Sequence, residues 1–179
     1  MADFLVNGGV TNALNMPSLS AEEAPKLKPH MALAEKLGSL VGQLTHDSVP
    51  RTSIHTEGPA TELNQKPITA AVLAGFMRVQ SDTVNMVNAP FLAKQRGLEV
   101  REVKTEREGD YHTLVRVTAT TPDGPKSVAG TLFGNAKPRL VEMLGMGIET
   151  ELAGEMIYIA NDDAPGFIGR LGTTLGEAG

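Results

Sequence analysis

The spacing of the apolar residues changes at Leu98, and this change constrains the fold more than any other feature of the sequence. Before it, apolar residues recur every three or four positions, as in amphipathic helices over His30–Leu44 and from Pro67 onwards. After it, apolar and polar residues alternate in short runs separated by turn signals, such as Pro122-Asp123-Gly124. Helices followed by an antiparallel meander predict an α+β fold, in which helices pack on a mainly antiparallel sheet.

Local signals set the expected bounds of the elements. Pro25 and Pro29 predict a short helical turn separate from the helix over His30–Leu44. Pro50 predicts that a strand over Val49–Glu57 lies near a sheet edge. The other predicted elements are a short helix over Phe91–Arg96 and strands over Leu98–Thr105, Tyr111–Thr121, Lys126–Phe133 and Arg139–Leu144.

The last two dozen residues follow a separate pattern of strand, polar turn and helix. Met156–Ala160 is a short apolar run rich in β-branched and aromatic residues, which predicts a fully buried strand. Three polar residues and then Pro165-Gly166 break this run, and apolar residues recur at helical spacing from Phe167. One strand and one helix cannot bury their apolar faces alone. We therefore expect Glu155–Gly179 to be the front half of a small domain.

The polar turn in this segment suits a small zwitterion. The start of a helix presents unpaired N–H groups and a partial positive charge, which favour a carboxylate. Asn161 and Asp163 are two residues apart and point to the same side of an extended chain. The amide can donate and accept hydrogen bonds, and the carboxylate can pair with an ammonium group. The alternative, that Asp162 or Asp163 only caps the helix, stays open, and local spacing alone favours it.

A second candidate site is basic. Lys137 and Arg139, with Asn135 nearby, place two like charges on the same side of an extended chain, where they could hold an anion. A solvated sheet edge after a hairpin is an equally good interpretation.

The rest of the sequence indicates a binding or regulatory module with no catalytic residues. It contains no glycine-rich nucleotide loop, no nucleophile elbow and no marked pair of carboxylates. The four histidines are far apart and there is no cysteine, so we expect no metal site. The net charge of −5 without a basic run argues against nucleic acid. No apolar stretch is long enough for a bilayer span and no secretory signal is present, so we expect a cytoplasmic protein.

Several stretches resemble one known family. The run Val10–Pro17 resembles the segment after the nucleotide-binding domain in long-form D-3-phosphoglycerate dehydrogenases. Ala34–Ser39, Gly130–Gly134 and Asp163–Gly169 resemble the same proteins, so the likeness covers essentially the whole chain. It implies that 1–153 is the intervening, or allosteric substrate-binding, domain and that 154–179 is the incomplete start of an ACT domain, which has a ferredoxin-like fold.

The resemblance also implies a function. The parent enzyme would oxidise 3-phosphoglycerate with NAD, the first committed step towards L-serine, in domains that this chain lacks. The chain alone would then hold no cofactor and would be inactive. The family binds serine between two subunits at the strand-to-helix turn, which implies a homo-oligomer and an effector site at Asn161, Asp163, Pro165 and Gly166. A further family asparagine would lie beyond Gly179, so we expect the site to be incomplete here.

The family is also thought to hold an anion in its intervening domain. Arg139 matches one of the basic positions of that site. Glu151 reverses the charge at a second position, and Lys137 would have to stand in for it. Two other interpretations remain: the regulatory part of an L-serine dehydratase, whose intervening domain is similar, and a structural module that only pairs subunits.

Overall fold

The computed structural model describes residues 23–45, 49–106, 109–134, 136–153, 155–162 and 164–178. The described strands form one six-stranded sheet, and they are β1 (Arg51–Glu57), β2 (Glu99–Thr105), β3 (Leu114–Thr121), β4 (Gly124–Phe133), β5 (Lys137–Met143) and β6 (Met146–Glu151). The described α-helices are α1 (Ala24–Leu44), α2 (Gln65–Arg78), α3 (Ala89–Gln95) and α4 (Phe167–Ala178). A 3₁₀ turn over Gly58–Thr61 follows β1 and leads towards α2.

The strand order is β2-β1-β3-β4-β5-β6, with β1 and β2 parallel and every other neighbouring pair antiparallel. This mixed, mostly antiparallel sheet with helices confirms the α+β prediction. The first strand, predicted near an edge, is second from the edge: β1 runs between the edge strand β2 and β3. Pro50 precedes the strand, and its carbonyl accepts a hydrogen bond from the N–H of Glu99, so no donor of the β1 ladder is lost.

The first helix is longer than predicted. It runs without interruption from Ala24 and contains Pro29, so the prediction of a separate helical turn is wrong. A proline in the second turn removes one N–H donor to the carbonyl four residues earlier. The burial of neighbouring leucines offsets the loss of this hydrogen bond, because Leu27 and Leu33 on either side of Pro29 are almost completely inaccessible to solvent.

Helices α1 and α2 cover one face of the sheet. Val115, Val117 and Val128 point from the sheet into the core that the two helices close. Leu33 and Leu37 of α1 lie directly over Gly130 of β4, so the bare backbone of this glycine admits the helix. Helix α2 is buried on nearly every side, since it lies between α1 and the β1–β2 edge. Among the described helices, none is both long and apolar enough for a bilayer span.

Two features of the second half differ from expectation. Strand β6 was not predicted; it pairs with β5 through a turn in which Leu144 and Gly145 both have positive φ angles of 53° and 81°. The predicted buried strand over Met156–Ala160 is wrong, because these residues form neither strand nor helix and are exposed. No strand among the described residues pairs with them, so their apolar side chains have no sheet to pack into.

Candidate functional site

The exposed terminal segment is tethered to the folded part at Leu152. This side chain is 4% exposed, and none of the described residues after it is buried. The N–H of Leu152 donates to the carbonyl of Pro138 at 3.3 Å, and Lys36 of α1 donates its ammonium to the Leu152 carbonyl. The terminal segment therefore leaves the folded part at a fixed point between α1 and β5.

The structure places three of the four predicted effector residues on one exposed stretch. Asn161 is exposed, and its side-chain amide donates to the carbonyl of Asp162 at 2.8 Å. Pro165 and Gly166 form the turn that leads into α4, where Gly166 has a φ angle of 83°. Asp163, the fourth, lies outside the described residues. What the structure provides here is an accessible amide next to the start of a helix.

Arg170 adds a cation that the sequence analysis missed. Its Nη1 atom lies 3.2 Å from the position that a Cβ atom on Gly166 would occupy. The backbone N–H of Arg170 donates to the Gly166 carbonyl at 3.1 Å, as expected for residues four apart in a helix. A guanidinium beside the unpaired N–H groups of a helix start strengthens its preference for a carboxylate. The four-residue spacing from Gly166 was the available signal.

Helix α4 exposes an apolar stripe. Ile168 is 76% exposed and Leu175 is 50% exposed, although both recur at the spacing of a buried helix face. Three glycines lie in the same helix, and no atom outside the helix is within 4 Å of a Cβ built on Gly169, Gly172 or Gly176. The described residues therefore leave this face of α4 uncovered.

Lys137 and Arg139 lie on the same face of β5, as predicted for residues two apart, and this face points away from α1 and α2. Lys137 is opposite Phe133 and Arg139 is opposite Thr131 in the β4–β5 ladder. The guanidinium of Arg139 stacks over the Phe133 ring at 5.5 Å from its centroid. Its Nε atom is buried and donates to no partner among the described residues.

Glu151 lies next to this basic pair. In the β5–β6 ladder its Cα atom is opposite that of Arg139. The carboxylate therefore leaves one net positive charge from the two cations. The charge reversal at residue 151 therefore reduces the attraction that Lys137 and Arg139 can exert on an anion.

The same outer face of the sheet carries a polar cleft that the sequence did not reveal. Arg116 of β3 pairs with Glu142 of β5 at 2.6 Å, and Ser127 of β4 donates to Glu142 at 3.4 Å. A small apolar cluster of Leu114, Ala129, Val141 and Tyr111 adjoins this pair. Partial desolvation, and then the Glu149 carboxylate, raises the pKa of Tyr111. Register between strands brings these residues together, so no local pattern could have indicated them.

Two histidines, His30 and His55, contact neighbouring polar atoms. The Nδ1 atom of His30 is 2.9 Å from the Lys26 carbonyl, and burial lowers its pKa against the opposing effect of that bond. The Nε2 atom of His55 is 2.7 Å from the hydroxyl oxygen of Thr105. No group of three or more possible metal ligands occurs among the described residues.

The fold and these surfaces define an α+β domain with two candidate ligand-binding regions. Comparison with known proteins gives its family: residues 26–144 match the family model of the D-3-phosphoglycerate dehydrogenase intervening domain. The chain belongs to this family.

Relatives extend the match beyond that domain. The chain is 36% identical over 169 residues to a D-3-phosphoglycerate dehydrogenase of Bacillus subtilis and 33% identical over 177 residues to that of Synechocystis. It is 35% identical over 169 residues to that of Methanocaldococcus jannaschii. These alignments cover 94%, 98% and 94% of the chain, and 32% of each relative. The chain thus spans about a third of the length of these relatives, and it corresponds to their C-terminal part.

Proposed function

We propose that this chain is the regulatory part of an NAD-dependent D-3-phosphoglycerate dehydrogenase of L-serine biosynthesis. Family membership over residues 26–144, with relatives named as that enzyme along nearly the whole chain, is the observation that carries the proposal. The parent would be a cytoplasmic homo-oligomer, and the chain alone would be inactive. Residues 1–153 would be the intervening domain and 154–179 the start of an ACT domain.

The effector would be L-serine or a related small amino acid. Its carboxylate would lie at the start of α4, beside the Arg170 guanidinium and the N–H groups after Gly166. Asn161 would hydrogen-bond the ligand, and Asp163 would pair with its ammonium group. Serine would act by binding one arrangement of the parent more tightly than another, which shifts the equilibrium between them.

Calorimetric titration of L-serine tests this assignment. We expect binding to a polypeptide that continues past Gly179, little or none to residues 1–179, and loss of binding on Asn161→Ala. Asp162→Ala is the matched control, because its side chain points to the opposite side of an extended chain. Absence of heat with the longer polypeptide, or equal loss in both variants, would reject the site.

The basic pair on β5 would hold a phosphorylated substrate or effector. Arg139 is pre-positioned by the Phe133 ring and has an unused buried Nε donor, and Lys137 is exposed on the same side. Titration of inorganic phosphate into the chain should give weak binding that Lys137→Ala and Arg139→Ala remove. Lys94→Ala, an exposed lysine on α3, is the control for non-specific loss of positive charge.

A second candidate is a module that only pairs subunits. The uncovered apolar stripe of α4 favours it, since exposed apolar faces mark contact surfaces. If the extended polypeptide assembles into oligomers but gives neither heat with serine nor heat with phosphate, this second function replaces the first.

A further inference from the structure

One edge of the sheet is open. No strand among the described residues pairs with the outer side of β2. The N–H of Glu99 donates to Pro50 on the β1 side at 2.9 Å. Backbone groups of successive residues point to alternate sides of a strand, so Val100, Glu102 and Lys104 present their N–H and C=O groups to the open edge. Such an edge is a template for a further strand.

We propose that the β2 edges of two copies of this chain pair antiparallel around a twofold axis at Val103. The sheet would then continue from one copy into the other. The inference deepens the subunit contact in the proposed function and supplies its surface. It does not depend on serine or anion binding.

Charge restricts the register of this pairing. An axis at Glu102 would set two glutamates opposite each other, and an axis at Arg101 or Lys104 would set two like cations opposite each other. An axis at Val103 instead sets Glu102 opposite Lys104 of the second copy, and Lys104 opposite Glu102 of the second copy. Both members of each pair are residues whose backbone groups face the open edge, as hydrogen-bonded positions require.

The side chains of Glu102 and Lys104 are held in place by contacts within the chain. Glu102 accepts a hydrogen bond from the Thr69 hydroxyl at 2.5 Å, and Lys104 donates to the Thr61 carbonyl at 3.0 Å. Val103 is 45% exposed and points to the other face, where it would meet Val103 of the second copy. Charged residues usually discourage edge pairing. Here they oppose the registers centred at Arg101, Glu102 and Lys104 and are compatible with the one centred at Val103.

An apolar groove borders the same edge. It has a volume of about 650 Å³, and its lining includes Met86, Val87, Phe91 and Glu102. Phe91 is 68% exposed and Val87 is 43% exposed. Because a twofold axis perpendicular to the sheet keeps the helices of both copies on one side, these side chains would flank the new interface. They add apolar burial to the backbone hydrogen bonds.

The other edge of the sheet suits such pairing less well. Residues Met156, Ile157 and Tyr158 of the chain's own terminal segment line one groove together with Ile148 of β6. The β2 edge has no such neighbour among the described residues. The β2 edge is therefore the better self-pairing surface.

A single cysteine tests the axis, because the chain contains none of its own. Residues opposite each other at a non-hydrogen-bonded antiparallel position have Cα atoms about 4.5 Å apart, which suits a disulfide. Under mild oxidation Val103→Cys should give a covalent dimer much faster than Ile148→Cys, whose position on β6 is 40% exposed and similarly accessible. Equal rates would overturn the proposal, as would a wild-type chain that sediments as a monomer at high concentration.

A charge exchange tests the register. Glu102→Lys should weaken the dimer at least about tenfold in sedimentation equilibrium, because it sets two lysines opposite each other twice. The double variant Glu102→Lys with Lys104→Glu should restore it, and circular dichroism would verify that both variants fold. If the dimer persists unchanged in all variants, another surface holds it. The inference then fails while the proposed function stands.

Discussion

Gly38 of α1 lies against the backbone of Val72 of α2, so closely that a Cβ atom on Gly38 would overlap the Val72 carbonyl oxygen. Gly42 meets Phe76 and Gly75 meets Glu35 in the same way. Three glycines therefore let two helix backbones touch. This contact holds the helix layer that covers the sheet, and the family stretch Ala34–Ser39 lies within it.

Gly38→Ala should destabilise the fold, because the clash is with backbone rather than with a movable side chain. Overpacking of this kind costs about 1–3 kcal/mol, or more where the backbone must shift. For a domain of this size, the melting temperature should fall by roughly 5–10 °C, as differential scanning calorimetry would measure.

Gly147→Ala is the matched control for this substitution. Gly147 lies in β6, and no atom is within 4 Å of a Cβ built on it. The melting temperature of the Gly147→Ala variant should stay within about 2 °C of that of the wild type, since surface substitutions change stability by about 0.5 kcal/mol or less. Similar losses in both variants would contradict the close helix contact.

The sequence predicted the elements that carry their own periodic signal. Helices with an apolar face, and strands such as β3, bury residues at the spacing that their backbone imposes, so their existence and order followed from the pattern. Strand β6 has little apolar alternation (MGIETE) and depends on pairing with β5, which no local pattern contains.

Tertiary surroundings decided the remaining differences. Pro29 was compatible with a continuous helix because Leu27 and Leu33 bury against the core. Met156–Ala160 has the composition of a buried strand but no described neighbour to pair with. Of the candidate sites, the common side of Lys137 and Arg139 follows from their spacing, whereas Arg170 and the position of Glu151 opposite Arg139 required the structure.

Glu151→Gln should strengthen anion binding at the basic pair on β5. The substitution removes the carboxylate whose residue is opposite Arg139 and leaves two uncompensated cations. Near-surface charge pairs are worth about 0.2–1 kcal/mol, which predicts a gain in phosphate affinity of about 1.5- to 5-fold at low salt. Titration calorimetry at two salt concentrations checks it, with Glu106→Gln on the far side of the sheet as control. An unchanged affinity would place the anion elsewhere.

His30 should make the stability depend on pH. Burial lowers its pKa in the fold below the ordinary value, so the unfolded chain binds the proton more readily. This contribution is fully present above the unfolded pKa near 6.5 and is lost as the pH falls towards the folded pKa. Denaturant unfolding of the wild type and His30→Gln at pH 5 and pH 7.5 checks it. The wild type should lose more stability than the variant on acidification, and the reverse order would contradict the assignment.

Removal of residues 154–179 should leave the first domain almost as stable as the whole chain. None of the described residues after Leu152 is buried, so their removal takes little apolar surface out of contact with the core. We expect the free energy of unfolding to change by about 1 kcal/mol or less. A second truncation that also removes Leu152 should lose more, because this side chain fills part of the core and its carbonyl accepts from Lys36. If the first truncation unfolded the protein, the terminal segment would belong to the first core and the two-domain division would be wrong.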